Sequence, residues 1–228
     1  MRIHEEVRKM PVSPIRTWTS RLHDLSPRAE LTLGEPPQIT DSRIIEAAKT
    51  ALDQGLTHYP PAAGLQSLRQ ELAKRERQLR GWTIHPHQVL VTDGAQEALA
   101  VCCLALLNPG DEVLISDPGY PGTRSVISLA SAVPVACAAD EHLQLDITRM
   151  ERLISVRTRA IIVASPNNPT GQVLSAEALN QLGMLAENYD LALIVDAAYE
   201  QLSWQPLNFK VLRPYRHRVI FIGSFSKT

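Results

Sequence analysis

Residues 191–202 read LALIVDAAYEQL. An unbroken apolar run, Leu191 to Val195, delivers a carboxylate, Asp196, and three residues later a phenol, Tyr199. A short apolar run without alternation predicts a strand buried on both faces, as in a parallel sheet covered by helices on each side. Asp196 then falls at the C-terminal end of that strand, the edge where open α/β sheets collect their chemistry. A carboxylate in so poorly solvated a place needs a cation or hydrogen-bond donors, or its pKa rises. A structural salt bridge and a functional role both meet that need.

Similar β-prone runs occur at 88–92 (QVLVT), 112–116 (EVLIS), 133–137 (VPVAC), 160–164 (AIIVA) and 219–223 (VIFIG). Amphipathic stretches at 95–107, 146–156 and 176–188 predict helices between them, the last capped by Ser175. Upstream, DSRIIEAAKTALDQG predicts a helix with Ile44, Ile45, Ala48 and Leu52 on one stripe. GLQSLRQELAKRERQLRG predicts another, closing at Gly81. The fold expected is α/β, a mostly parallel sheet sandwiched by helices. Residues 1–40, irregular and dotted with prolines, are expected to form an N-terminal arm, and 41–228 to form this α/β domain.

Composition narrows the partners. The 228 residues are 44% apolar and 21% charged with a net charge of -1, so there is no basic field for nucleic acid or an anionic membrane. No window approaches the roughly 18 apolar residues of a membrane span. The N-terminal MRIHEEVRKM has no apolar signal core. Three cysteines, two adjacent (Cys102, Cys103), make neither a disulfide framework nor a metal knuckle, which predicts a reducing cytoplasm. His85 and His87 precede the first expected strand, away from the converging groups, and no metal site is expected.

The turns that leave the strands carry the functional signal. After 88–92 comes TDGAQEAL, where Gly94, Ala95 and Gln96 open a helix whose free N–H groups suit an anion. After 112–116, DPGYPG presents Tyr120, either packed on its loop or offered as a stacking plate. SPNNPTG places the Asn168 amide at the next strand end. SFSKT sets Ser224 and Ser226 beside Lys227. Each alone has an ordinary structural reading. Together, an amine, a carboxylate, a phenol, an amide, an aromatic plate and an anion turn match what pyridoxal phosphate requires of a protein.

With LTLGEPP, HYPPAAGLQSLRQELA, VTDGAQEAL, DPGYPG, SPNNPTG, VDAAYEQL and SFSK in order, the chain resembles the class I/II, fold type I pyridoxal-phosphate-dependent aminotransferases from about Leu31 onward. The resemblance implies that Lys227 holds the cofactor covalently and then moves the substrate α-proton. It implies that Asp196 pairs with the pyridine nitrogen, and that Tyr199 and Asn168 hydrogen-bond the phenolic oxygen. Tyr120 would stack on the ring, while Gly94, Ala95, Gln96 and Ser224 hold the phosphate. Tyr59 would reach the phosphate of a neighbouring subunit, implying a homodimer with shared sites, and Gly34 would approach the substrate carboxylate. The substrates implied are an amino acid and a 2-keto acid.

Three departures stand out: Ala197 where the family often has Glu, Thr123 where a second aromatic is common, and an end at Thr228. The family's two arginines for cofactor phosphate and substrate carboxylate, a further antiparallel strand between the 88–92 and 219–223 runs, and most of the small domain would lie beyond that end. The chain is therefore expected to be a piece of a longer aminotransferase. A lyase or synthase of the same fold, or a non-catalytic remnant, are the other readings.

Overall fold

The computed structural model describes residues 3, 5–9, 14–23, 25 and 32–227. Much of the expected arm over 1–40, and Leu31 and Thr228, lie outside them. Two segments of the arm correct the irregular reading: α1 (Glu5–Lys9) and α2 (Pro14–His23) are helical. Pro14 opens α2, in the first turn, where a helix N–H has no intrahelical acceptor and proline's missing one costs little.

Five strands form one sheet: β1 (Glu112–Asp117), β2 (Val133–Ala138), β3 (Thr158–Ala164), β4 (Ala192–Asp196) and β5 (Val219–Ile222). Their order is β2-β1-β3-β4-β5, and every pair is parallel. Alternate residues of each strand feed opposite layers. Val113, Ile115, Ile162 and Ile194 pack with Leu99 and Cys103 of α5 (Gly94–Leu106) and Val126 and Ile127 of α6 (Pro121–Leu129). Leu114, Ile161, Leu193 and Val195 pack with Met150 of α7 (Ile147–Arg152), Leu179 and Leu182 of α8 (Ala176–Asn188), and Phe209 and Leu212 of a 3-10 turn (Phe209–Tyr215). A Leu or Ile side chain fully withdrawn in this way contributes about 1.5–3 kcal/mol.

Helix ends follow their local chemistry. Ser175 Oγ accepts the Ala178 N–H at 3.0 Å, as its sequence position predicts. Asp146 accepts the Arg149 N–H at 2.8 Å, but α7 stops at Arg152, short of the predicted 156. α4 (Gln66–Arg80) ends on Gly81, whose φ of 77° is the left-handed conformation glycine adopts without strain.

One expectation about the sheet needs correction. The 88–92 run is not a strand of the sheet. Val89 is extended (φ -108°, ψ 127°), but the Val91 N–H bonds the Ala63 carbonyl at 3.1 Å rather than a strand neighbour. Leu90, Val91 and Thr92 face Val219, Ile220 and Phe221 of β5 across a groove of about 680 Å³. An extended segment becomes a strand only when a neighbour lies about 4.8 Å away to close the ladder. α3 (Ser42–Asp53) is helical as predicted, with Asp41 accepting the Arg43 N–H at its start, yet its apolar stripe is bare: Ile44 is 61% and Leu52 63% exposed. Among the described residues, no helix is long and apolar enough to cross a membrane.

Candidate active site

Because all five strands run the same way, β1, β3, β4 and β5 all release their loops at one edge. Asp196, the last residue of β4, stands beside Ala164 of β3 and Ile222 of β5. Its carbonyl accepts the Ser165 N–H at 3.0 Å, and its carboxylate accepts the Ala198 N–H at 3.0 Å. Burial lifts its carboxyl pKa above the ordinary value, against the opposing Ala198 bond. Among the described residues it has no cationic partner within salt-bridge distance, so the structural salt bridge does not explain it.

Tyr199 follows on the turn out of β4 and begins the 3-10 turn Glu200–Leu202. Its phenol is held above its usual pKa by burial first, then by the negative charges available at Asp196 and Tyr120, while the side-chain hydrogen bond with Asn168 opposes the rise. Four of the predicted groups thus share one small volume. Lys227 joins them, with Nζ 5.6 Å from the centre of the Tyr199 ring. Gly34 arrives from the N-terminal side, so close that a Cβ there would lie 3.1 Å from the Tyr199 hydroxyl. Gly34, Asn168 and Tyr199 line a cleft of about 360 Å³, with Trp204 at its wall.

The loops are tied to one another. Gln96 Nε2 donates to the Gly122 carbonyl at 3.3 Å. Gly122 is wedged between the two loops: a Cβ on it would come within 2.4 Å of the Tyr120 ring and 2.5 Å of Gln96 Oε1. Asn167 Nδ2 donates to the Pro118 carbonyl at 3.1 Å and to Thr170 Oγ1 at 2.9 Å, joining the loop after β3 to that after β1.

The anion turn has the expected form. Gly94 adopts φ 77° at the start of α5, and the Asp93 side chain does not cap the helix. The first-turn N–H groups, those of Ala95 and Gln96 among them, have no acceptor one turn back within the helix. Glu97, in the same turn, accepts the Asp93 N–H. Ser224 lines the same groove as Gly94, and its hydroxyl is 2.7 Å from that of Ser226 and accepts the Ser226 N–H at 3.1 Å. Tyr59 is fully exposed and does not join the cluster.

Sequence reasoning missed Asn167, Trp204 and Glu200. Asn167 acts through loop-to-loop bonds that no local pattern reports. Trp204 lies beyond the strand-end motif, and Glu200 is paired with a residue of α4 120 positions away.

A parallel sheet with a lysine, a buried carboxylate, a phenol and a helix start that Asp93 does not cap, gathered at one edge, defines an α/β domain with its reactive groups at the strand ends. The chain belongs to the aminotransferase class I and II family, whose sequence profile matches residues 29–228. It is 39% identical over 199 residues to an aspartate/prephenate aminotransferase of Thermus thermophilus, covering 86% of this chain and 52% of that protein. It is 35% identical over 198 residues to a probable aspartate aminotransferase of Methanocaldococcus jannaschii, covering 87% of this chain and 52% of the relative. Among solved structures, Thermus thermophilus aspartate aminotransferase with maleate superposes with a TM-score of 0.94 at 33% identity, over 100% of this chain and 61% of the other. The chain spans about half the length of these curated relatives.

Members of the family use pyridoxal phosphate. The donor set here fits that group. A carboxyl whose pKa burial raises, with no cationic partner among the described residues, is suited to a protonated ring nitrogen, and Lys227 supplies an amine near the Tyr199 ring.

Proposed function

We propose that this protein is a pyridoxal-phosphate-dependent aminotransferase, moving the amino group of an amino acid to a 2-keto acid. The observation that carries the reading is the convergence of Lys227, Asp196, Tyr199 and Asn168 at one sheet edge in a chain of this family.

In this reading Lys227 binds the cofactor covalently through Nζ. Asp196 supplies the negative charge that keeps a proton on the pyridine nitrogen, and that pairing also relieves its own desolvation. Tyr199 and Asn168 direct hydrogen bonds at the phenolic oxygen. Ala95 and Gln96 N–H groups at the start of α5, with Gly94 allowing the turn and the Ser224 hydroxyl beside it, take the phosphate. Tyr120 would offer its ring as a stacking surface for the cofactor, and Gly34 would leave room for the substrate carboxylate. The bound cofactor supplies an electron sink for negative charge at the substrate Cα. Lys227 Nζ would remove the substrate α-proton as base and return a proton as acid.

Residues 1–40 then serve as an arm and 41–228 as part of the large cofactor-binding domain. The protein acts as a homodimer: the bare Ile44 and Leu52 stripe of α3 needs covering, and exposed Tyr59 is free to reach a neighbouring site. Three free cysteines suit a reducing cytoplasm.

The test is to supply pyridoxal phosphate, 2-oxoglutarate and a panel of aspartate, alanine and aromatic donors. Appearance of glutamate with the donor's keto acid in equal amounts is expected. Ammonia or an eliminated group without glutamate would overturn transamination in favour of lyase chemistry.

A further inference from the structure

Arg80 takes no part in the chemistry above, yet it is only 2% exposed. A guanidinium so deep is costly unless its charge and its donors are answered. Nε donates to Glu76 at 2.9 Å and Nη2 to Glu200 at 2.6 Å. The guanidinium carbon lies 4.7 Å from the centre of the Phe209 ring and 4.1 Å from that of Phe221, two rings set edge to face. Cation–π contact favours an arginine there.

The partners' positions in the chain give the cluster its interest. Glu200 immediately follows Tyr199. Phe221 stands opposite Val195 in the β4–β5 register, one residue before the Ile222 that faces Asp196. One side chain, fixed at the end of α4, therefore grips both segments that carry the site: the turn bearing Tyr199 and the strand that leads to Lys227. The turn itself is a single 3-10 turn, held locally by the Glu200 N–H on the Ala197 carbonyl (3.0 Å) and the Leu202 N–H on the Tyr199 carbonyl (3.0 Å). So short a turn has little stiffness of its own. The Glu200 carboxylate, 13% exposed, is its anchor to the core. Arginine suits this use because its planar fork engages two carboxylates in fixed directions, which an ammonium cannot.

We propose that Arg80 is a positioning residue: its ion pair with Glu200 sets the Tyr199 hydroxyl in register with Asn168 and Lys227. The inference rests on the reading that Tyr199 serves the cofactor. It differs from a purely stabilising role in one measurable way. Loosening the pair moves the Tyr199 hydroxyl and so changes the electrostatics at the cofactor, whereas loosening the core elsewhere does not.

The experiment compares the wild-type chain with Glu200→Gln and with Met150→Ala, a buried residue of α7 outside the cluster, each supplied with pyridoxal phosphate. Three things are read: the peptide labelled after borohydride reduction, the pH midpoint of the visible absorption of the bound cofactor, and the melting temperature. Glu200→Gln is expected to keep the label on Lys227 but raise the midpoint by roughly half to one pH unit, the net worth of one hydrogen bond to the phenolic oxygen. Met150→Ala is expected to melt lower with its midpoint unmoved. Should Glu200→Gln not fold, Glu200→Asp, which keeps the charge but draws it back by one methylene, is expected to shift the midpoint the same way. A variant that melts lower yet keeps the wild-type midpoint would overturn the positioning role. Absence of label in the wild type is a different result, which overturns the cofactor reading and this inference with it.

Discussion

Asp196 stands directly opposite Ile222 where β4 and β5 end together, so the carboxylate and the loop bearing Lys227 leave the sheet side by side. Strand register sets the carboxylate beside the end of β5. A one-residue slip would turn Asp196 to the other face of the sheet. The buried positions Leu193, Ile194 and Val195 resist that slip.

Replacing the carboxylate separates binding from chemistry. Asp196→Ala is expected to retain cofactor on Lys227 while the exchange of the substrate α-proton for deuterium slows by roughly a hundredfold or more, the scale of losing one charged group at a reacting centre. Proton NMR of the amino acid in heavy water measures it. Exchange at the wild-type rate would remove Asp196 from the mechanism.

The same residue predicts a pH effect in the absence of cofactor. Burial raises the folded-state pKa of Asp196 above its unfolded value. The folded chain then holds the proton more tightly than the unfolded one, so Asp196 favours folding at low pH and loses that advantage as pH rises through its folded pKa. At pH 7, above the unfolded pKa, that difference is a net cost to folding. Asp196→Asn is expected to melt higher than wild type at pH 7, with the gap closing as pH falls to the ordinary carboxylate range. An equal gap at both pH values would show that desolvation of the charge is not the cause.

Gly122 is held to glycine by close approach. A methyl group there collides with the Tyr120 ring and with Gln96, and both would have to move. Gly122→Ala is expected to cost about 1–3 kcal/mol in stability, as overpacking does. It should also weaken pyridoxal phosphate binding, because the ring plate and the anion turn shift together. Calorimetric melting and a cofactor titration check the two parts, and unchanged affinity would detach Tyr120 and Gln96 from the cofactor.

The bare stripe of α3 predicts association. Sedimentation of the wild-type chain is expected to show a dimer, and Ile44→Glu with Leu52→Lys to show a monomer of unchanged helical content. Charges on an interface core oppose its burial, whereas on a solvated face they cost little. A dimer that survives both charges would place the interface elsewhere.

The parallel α/β sheet was legible because its central strands are continuous apolar runs, and the strand-end groups were legible because each comes directly after such a run. QVLVT carried the same local signal yet forms no ladder, since pairing depends on a neighbour that local sequence does not report. The stripe of Ile44, Ile45 and Leu52 announced an amphipathic helix correctly but not what would cover it. Arg80 was the least legible. In QLRG it reads as one more surface charge at a helix end, and only the fold brings Glu200, Phe209 and Phe221 around it.

The most direct measurement is to incubate the protein with pyridoxal phosphate, reduce with borohydride, and locate the modified residue by peptide mass. Label confined to Lys227 is predicted, because that amine lies near the Tyr199 ring at the sheet edge where Asp196 ends β4. Label spread over the other surface lysines, or none at all, would contradict the assignment of this edge as the cofactor site.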